Sequence, residues 1–222
     1  VNWRTPVAAL AVAVLVLSGC ASTVTGSPTW PGARLDKALL TAVDFPPDAQ
    51  FDRIVREPGE GDGGLGAPPA MLSKPKGCSD GLTRDIADSA ERGPGSAAEY
   101  VVGYDGARVV MTVLTWQLDL EQLAATAQRC AQFEVFFDPA SPGIPMTTTR
   151  IDTARPDALV YRQTMRLGDV DNDVYFAFEN VGSMAVYGIA LPVPYPTIAA
   201  KGALPQTFLD IMAKQAERAG TV

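Results

Sequence analysis

The sequence predicts an α+β domain: a mainly antiparallel sheet with a middle helix and a C-terminal helix packed on it. Three observations lead there. Runs rich in β-branched and apolar residues are separated by turn signals such as Asp105-Gly106 and Gly182-Ser183, the pattern of hairpins and so of antiparallel pairing. Two segments, one after Asp119 and one after Pro205, carry apolar residues at helical spacing. With 222 residues, 47% hydrophobic and 19% charged, the chain can bury one core of ordinary size and is not a disordered polymer.

The chain opens with one positive charge, Arg4, then an unbroken apolar run over residues 7–17, then Ser18-Gly19-Cys20. A basic start, an apolar run of about 7–15 residues and small residues before a cleavage point make residues 1–19 a secretory signal peptide, since spanning a bilayer takes about 20 apolar residues. Val1 is read as an alternative start codon. Leu17-Ser18-Gly19-Cys20 resembles the lipobox of bacterial lipoproteins. That resemblance implies diacylglyceryl transfer to the Cys20 thiol, cleavage before it and acylation of the new amine, making Cys20 a lipid anchor and the membrane a partner through it. Each buried CH₂ contributes about 0.8 kcal/mol, so two chains hold where one is only marginally retained. Cleavage removes Arg4 and no acid, leaving the mature chain more acidic than its precursor's net charge of -7. Anionic headgroups do not attract such a domain; the anchor must hold it.

Residues 20–35, with Ser, Thr, Gly and two prolines, read as a flexible tether spanning about 20 Å as a coil, and residues 36–222 as a single domain. A short helix is expected over 36–43, stopped by Pro46-Pro47, and a strand over 51–56. Residues 57–69 are Gly/Pro-rich and acidic; Glu57, Glu60 and Asp62 are read as a solvated loop and not as a metal site. Residues 79–91 are a further helix candidate. Strands over 99–104 and 107–116 flank Asp105-Gly106, a turn whose two central positions are expected to take positive φ. The middle helix opens with Asp119 as N-cap and Gln122 at N3 in the manner of a capping box, and Leu118 and Leu123 form a hydrophobic staple. Leu120, Leu123, Ala127, Cys130 and Ala131 then share one face, which turns Cys130 toward the core. A short strand is expected over 147–152. Strands over 159–167 and 174–181 pair across an acidic loop at 168–173, and Gly182-Ser183 leads by a type II′ turn into a strand over 184–191. Pro205 opens the last helix, with Phe208, Ile211, Met212 and Ala216 inward and Gly220 at its end.

The chain has no histidine, which removes the usual general base near neutral pH, the commonest zinc ligand and the partner of a nucleophilic Ser or Cys. Its acidic balance excludes nucleic acid as a partner, since phosphate backbones need a basic footprint. Ser73-Lys74-Pro75-Lys76 matches S-x-x-K, but Pro75 breaks the turn that would bring Lys near Ser, so this is a loop leading to Cys78. Asp169-Val170-Asp171-Asn172-Asp173 begins like a calcium loop, yet Val174 stands where Gly is needed and Asn180 where a bidentate Glu is needed. No catalytic residue, metal site or cofactor is expected. With Cys20 acylated, Cys78 and Cys130 are the remaining pair in an oxidising compartment and are expected to form a disulfide.

The order of features is similar to that of a group of mycobacterial envelope lipoproteins related to the extracellular sensor domain of the serine/threonine kinase PknH. The resemblance rests on the opening Leu39-Leu40-Thr41-Ala42-Val43-Asp44, on Cys78 after a Pro-containing loop, on Cys130 in the middle helix, on paired late strands and on a closing helix, over about residues 36–219. It implies a non-enzymatic, membrane-anchored binding domain outside the cell and does not name the ligand. The chain is read as an envelope lipoprotein, lipid-anchored to the cell membrane on its extracytoplasmic face, that binds a small or lipidic ligand or an envelope protein. Those sensor domains carry a second disulfide, for which this chain has no cysteines. A structural or protein-interaction module and a His-free hydrolase stand as alternatives.

A binding surface is expected beside the strand at 107–116, because both of its alternating sets are apolar and both faces need covering. With the middle and C-terminal helices on one face, the other is left to loops, and an apolar cleft with Trp116, Tyr161 and Tyr187 in its walls follows. The alternative for these three is that they fill the core.

Overall fold

The structure, a computed structural model, describes residues 31–54, 71–84, 86 and 95–222. The signal peptide, Cys20, most of the tether, the acidic loop at 57–69 and residues 85 and 87–91 of the helix expected over 79–91 lie outside the described residues.

One antiparallel sheet organises the domain. Its strands are β1 (Gln50–Ile54), β2 (Leu72–Lys74), β3 (Ala97–Tyr104), β4 (Ala107–Leu114), β5 (Gln132–Phe136), β6 (Ile144–Arg150), β7 (Leu159–Leu167), β8 (Val170–Val181) and β9 (Met184–Leu191). Their order across the sheet is β1-β3-β4-β9-β8-β7-β6-β5-β2, every neighbour antiparallel. Helices among the described residues include α1 (Pro31–Ala38), α2 (Leu120–Arg129) and α3 (Gln206–Ala219), with a 3-10 turn at Ala42–Asp44. The α+β class and the mainly antiparallel sheet are as the sequence indicates.

The two helices expected on one face lie on opposite faces. Leu35, Ala38 and Leu39 at α1 and Phe208, Ile211 and Met212 of α3 bury Val109, Met111 and Val113 of β4 with Val186 of β9. Leu123 and Ala127 of α2, with Leu82 and Ile86, bury Leu114, Tyr187, Ile189, Phe176, Phe178, Leu159 and Tyr161 on the other side. The doubly apolar β4 is thus covered from both sides, which removes the premise of an open cleft beside it.

Local chemistry explains most ends. Asp119 caps α2 by accepting from the Gln122 amide at 2.9 Å. α1 begins at Pro31, inside the stretch expected to be tether, and buries Leu35, while the helix expected to reach residue 43 stops at Ala38. The reason is Thr41, whose amide and hydroxyl both donate to Asp44 at 2.8 and 3.0 Å and restart the chain as a tight turn. The carbonyl of Ala38 and the amide of Leu40, left over where α1 ends, are taken up by the fully buried amide of Gln215 in α3, at 2.6 and 3.1 Å. Arg34 donates to the Ser183 hydroxyl and the Val222 carbonyl, so the start of α1, the β8–β9 turn and the end of α3 share one end of the sheet.

Turn expectations divide. Gly182 has φ +58 and Ser183 is not in the positive region, as a II′ turn requires. At Asp105-Gly106 only Gly106 is positive, φ +103, because Asp105 is held by tertiary bonds. Its amide donates to Ala200 O and its carbonyl accepts from Gly202 N, both at 2.9 Å. Its carboxylate accepts from Tyr195 N at 2.9 Å and Lys201 Nζ at 2.6 Å. The acidic loop expected at 168–173 is strand from Val170 on: the chain turns on Gly168-Asp169, Leu167 pairs with Val170, and Asp173 accepts from Thr164 Oγ1 at 2.6 Å.

Asp105 makes the domain acid-sensitive in a defined window. The Lys201 ammonium and the Tyr195 amide hold its carboxyl below the ordinary 3.8. A carboxylate with a depressed folded pKa contributes stability that is complete above its unfolded value and is lost as pH falls through the folded one. Urea midpoints should therefore hold above pH about 5 and fall below pH about 4, with a flatter fall in Asp105→Asn. Parallel acid limbs for the two proteins would remove Asp105 from the account.

Candidate functional site

The three aromatics expected in a cleft wall are together on the α2 face, but Tyr161 and Tyr187 are core and only Trp116 reaches the rim. Tyr161 is 4% and Tyr187 2% exposed, and Trp116 is a half-buried neighbour at the rim of the same cluster. Tyr187 stacks on Phe178 with ring centroids 5.3 Å apart. A register row runs across this face: Glu99 of β3, Thr112 of β4, Tyr187 of β9, Phe178 of β8 and Leu159 of β7. Glu99 is 4% exposed and accepts from Thr112 Oγ1 at 3.2 Å. Burial, with the Glu99 carboxyl second, pushes the Tyr187 phenol well above its usual value, so it stays protonated, and its hydroxyl has no partner among the described residues. The sequence reading missed Glu99; its signal was a lone acid inside the apolar run of β3.

The other carboxylate buried among the described residues, Glu179, lies on the opposite face beside α3 and is gripped by Arg155 through bonds of 2.8 and 2.5 Å. That contact, with burial opposing it, holds the Arg155 guanidinium above its ordinary pKa. Glu99 and Glu179 therefore sit on opposite sides of the sheet and cannot converge on one substrate atom, as a two-carboxylate hydrolase requires.

Cys78 and Cys130 are bonded, S–S 2.07 Å with Cα atoms 5.5 Å apart. The bridge joins the end of α2 to the loop after β2, over Phe133 and Val135. Ser73 of the S-x-x-K match is in strand β2, where its hydroxyl accepts from the Cys78 amide at 2.9 Å; it shapes this loop and has no lysine one helical turn away.

A cavity of about 350 Å³ opens between the 3-10 turn and the last turns of α3, lined by Leu40, Asp44, Lys214, Glu217, Arg218 and Thr221. Arg218 donates to Asp44 at 3.0 Å. Burial raises the Asp44 carboxyl, but the Thr41 bonds and the Arg218 charge outweigh it and leave it below its usual range. Two cations and two carboxylates make the lining electrically balanced, which suits a small polar or zwitterionic molecule better than an apolar one.

No family model and no curated protein matches the sequence. Among solved structures, the chain is similar to the extracellular domain of PknH from Mycobacterium tuberculosis, at 13% identity over 86% of this chain and 97% of that one, with a TM-score of 0.53. It is also similar to the Rv0999 ortholog of Mycobacterium smegmatis, at 11% identity over 86% of this chain and 95% of that one, with a TM-score of 0.46. The chain shares the fold of the PknH extracellular domain; at this identity the likeness concerns fold alone.

Proposed function

We propose that this chain is a membrane-anchored, extracytoplasmic binding domain without catalytic role, held by acyl chains on Cys20 and meeting its ligand or partner outside the membrane. The observation that carries the reading is the fold shared, over 86% of the chain, with the extracellular domain of PknH. The bonded Cys78–Cys130 pair supports it, because such bridges persist in oxidising compartments. The separation of Glu99 and Glu179 supports a non-catalytic role. With Tyr161 and Tyr187 buried, recognition falls to the surface, and this favours a protein-interaction module over a domain that encloses an apolar ligand.

Cys20→Ala is expected to move the protein from the membrane to the soluble fraction and to abolish labelling by a fatty-acid probe. An external protease should digest the wild-type domain on intact cells. Unchanged membrane partition in the variant, or protection from the protease, would remove the anchor or the location.

A further inference from the structure

The β7–β8 hairpin outruns the sheet. β6 pairs with β7 only as far as Met165, and β9 pairs with β8 only from Tyr175 onward. Val170 to Val174 therefore pair with β7 on one side and with no strand on the other, among the described residues. The cause lies after β9, where Pro192 and Pro194 lack the amides a ladder needs. Val193 O accepts from Gly106 N, and Tyr195 N donates to Asp105, so the segment leaves β8 for the β3–β4 turn.

The arm's chemistry is that of a docking edge. Its tip exposes two apolar side chains, Leu167 at 43% and Val170 at 61%. Strand alternation puts Val170 and Val174 on the side of Phe176 and Phe178, which extends the apolar stripe of the α2 face out of the core. Asp169, Asp171 and Asp173 lie along the same edge; Arg166 faces Asp171 from β7 at 3.9 Å. The arm also lies at the end of the sheet opposite the start of α1.

We infer that the free edge of β8 at Val170 to Val174 receives an extended, lysine- or arginine-bearing segment of a partner protein as an added strand. This deepens the reading of the chain as a binding domain and rests on it. Unpaired amides and carbonyls supply the strand contacts, Val170, Val174 and Leu167 take the partner's apolar side chains, and the aspartates select its basic ones. A second copy of this chain is the wrong occupant, because two such edges in antiparallel pairing bring aspartates against aspartates. An anionic membrane is wrong for the same reason of sign.

The test uses the full chain in detergent and a capped octapeptide of alternating Lys and Val. Two controls accompany it: the Glu-Val counterpart, and the Lys-Val peptide with alternate backbone amides methylated, which keeps the charge and blocks strand addition. Saturable binding is expected, with amide exchange slowed at residues 170–174, and with affinity lower by about tenfold for each control. Asp169→Asn with Asp171→Asn, both at the exposed tip, should weaken the Lys-Val peptide severalfold without altering the unbound domain's thermal midpoint. Equal binding of the methylated peptide, slowed exchange confined to other elements, no saturable binding, or self-association of the chain through this edge would each overturn the inference. Its failure is distinguishable from that of the functional reading, since localisation is read on cells and strand addition on the purified chain.

Discussion

Removing the Cys78–Cys130 bridge by Cys78→Ala with Cys130→Ala is expected to cost about 4 kcal/mol, the loop-closure entropy for a crosslink separated by 52 residues. For a domain of this size that lowers the thermal midpoint by roughly 8–16 °C, a large part of a typical net stability of about 5–15 kcal/mol. Both half-cystines are at most 2% exposed, so the alanines also leave a small void beside Phe133 and Val135. The effect should be uneven. β2 is three residues long, at the edge of the sheet, and among the described residues pairs only with β5; the bridge and the Ser73 to Cys78 bond hold its far end. Amide exchange should accelerate first at residues 72–74 and around the end of α2, then globally. Mass mapping of the unreduced wild type should give one linked peptide pair. Equal thermal midpoints for wild type and double variant would show that the bridge contributes nothing.

The parts of this fold legible in the sequence are those that neighbouring residues decide. Asp119 caps α2 because its side chain reaches an amide three residues on, and Gly182 turns the chain because it alone lacks the Cβ that penalises positive φ. At Asp105 the same local rule failed, since bonds from Tyr195, Lys201 and Gly202 and one to the Ala200 carbonyl override it. β5 was missed although Gln132, Phe133, Glu134 and Val135 alternate, because it starts directly after α2 and offers no turn signal. β2 is too short to carry any pattern and exists because β5 presents an edge. The apolar character of both sides of β4 correctly demanded two covers, but which helix covers which side depends on path and loop length, not on periodicity. Assigning α2 and α3 to one face turned Tyr161 and Tyr187 into walls of a cleft, whereas α2 closes that face and makes them core. The β8 edge was hidden for a related reason: an acidic run beside a glycine reads as loop until its partner strand, with Thr164 and Arg166 opposite Asp173 and Asp171, is known.

The largest core effect is expected where α3 meets the sheet, at Phe208 and Gly188. Phe208 is fully buried, and its ring lies on the backbone of β9 at Gly188. A Cβ built on Gly188 stands 2.7 Å from Phe208 Cε2 and 2.8 Å from Met111 Sδ, closer than real contacts allow. The glycine is there to let the ring approach, since Gly188 has no positive φ that would need it. Phe208→Ala should cost about 3–5 kcal/mol, the transfer of a buried ring plus the void it leaves between α3, Met111 and β9. Gly188→Ala should cost about 1–3 kcal/mol by overpacking, with Met111 able to give way more readily than the ring. The two changes relieve each other: without the ring the new methyl is left with the close contact to Met111, whose flexible side chain can shift into the void that the methyl also partly fills. Combined, they should be less destabilising than the sum of the single changes by on the order of 1 kcal/mol. Urea denaturation of the four proteins of this cycle measures that coupling, and strictly additive losses would mean that Gly188 is not the seat of the Phe208 ring.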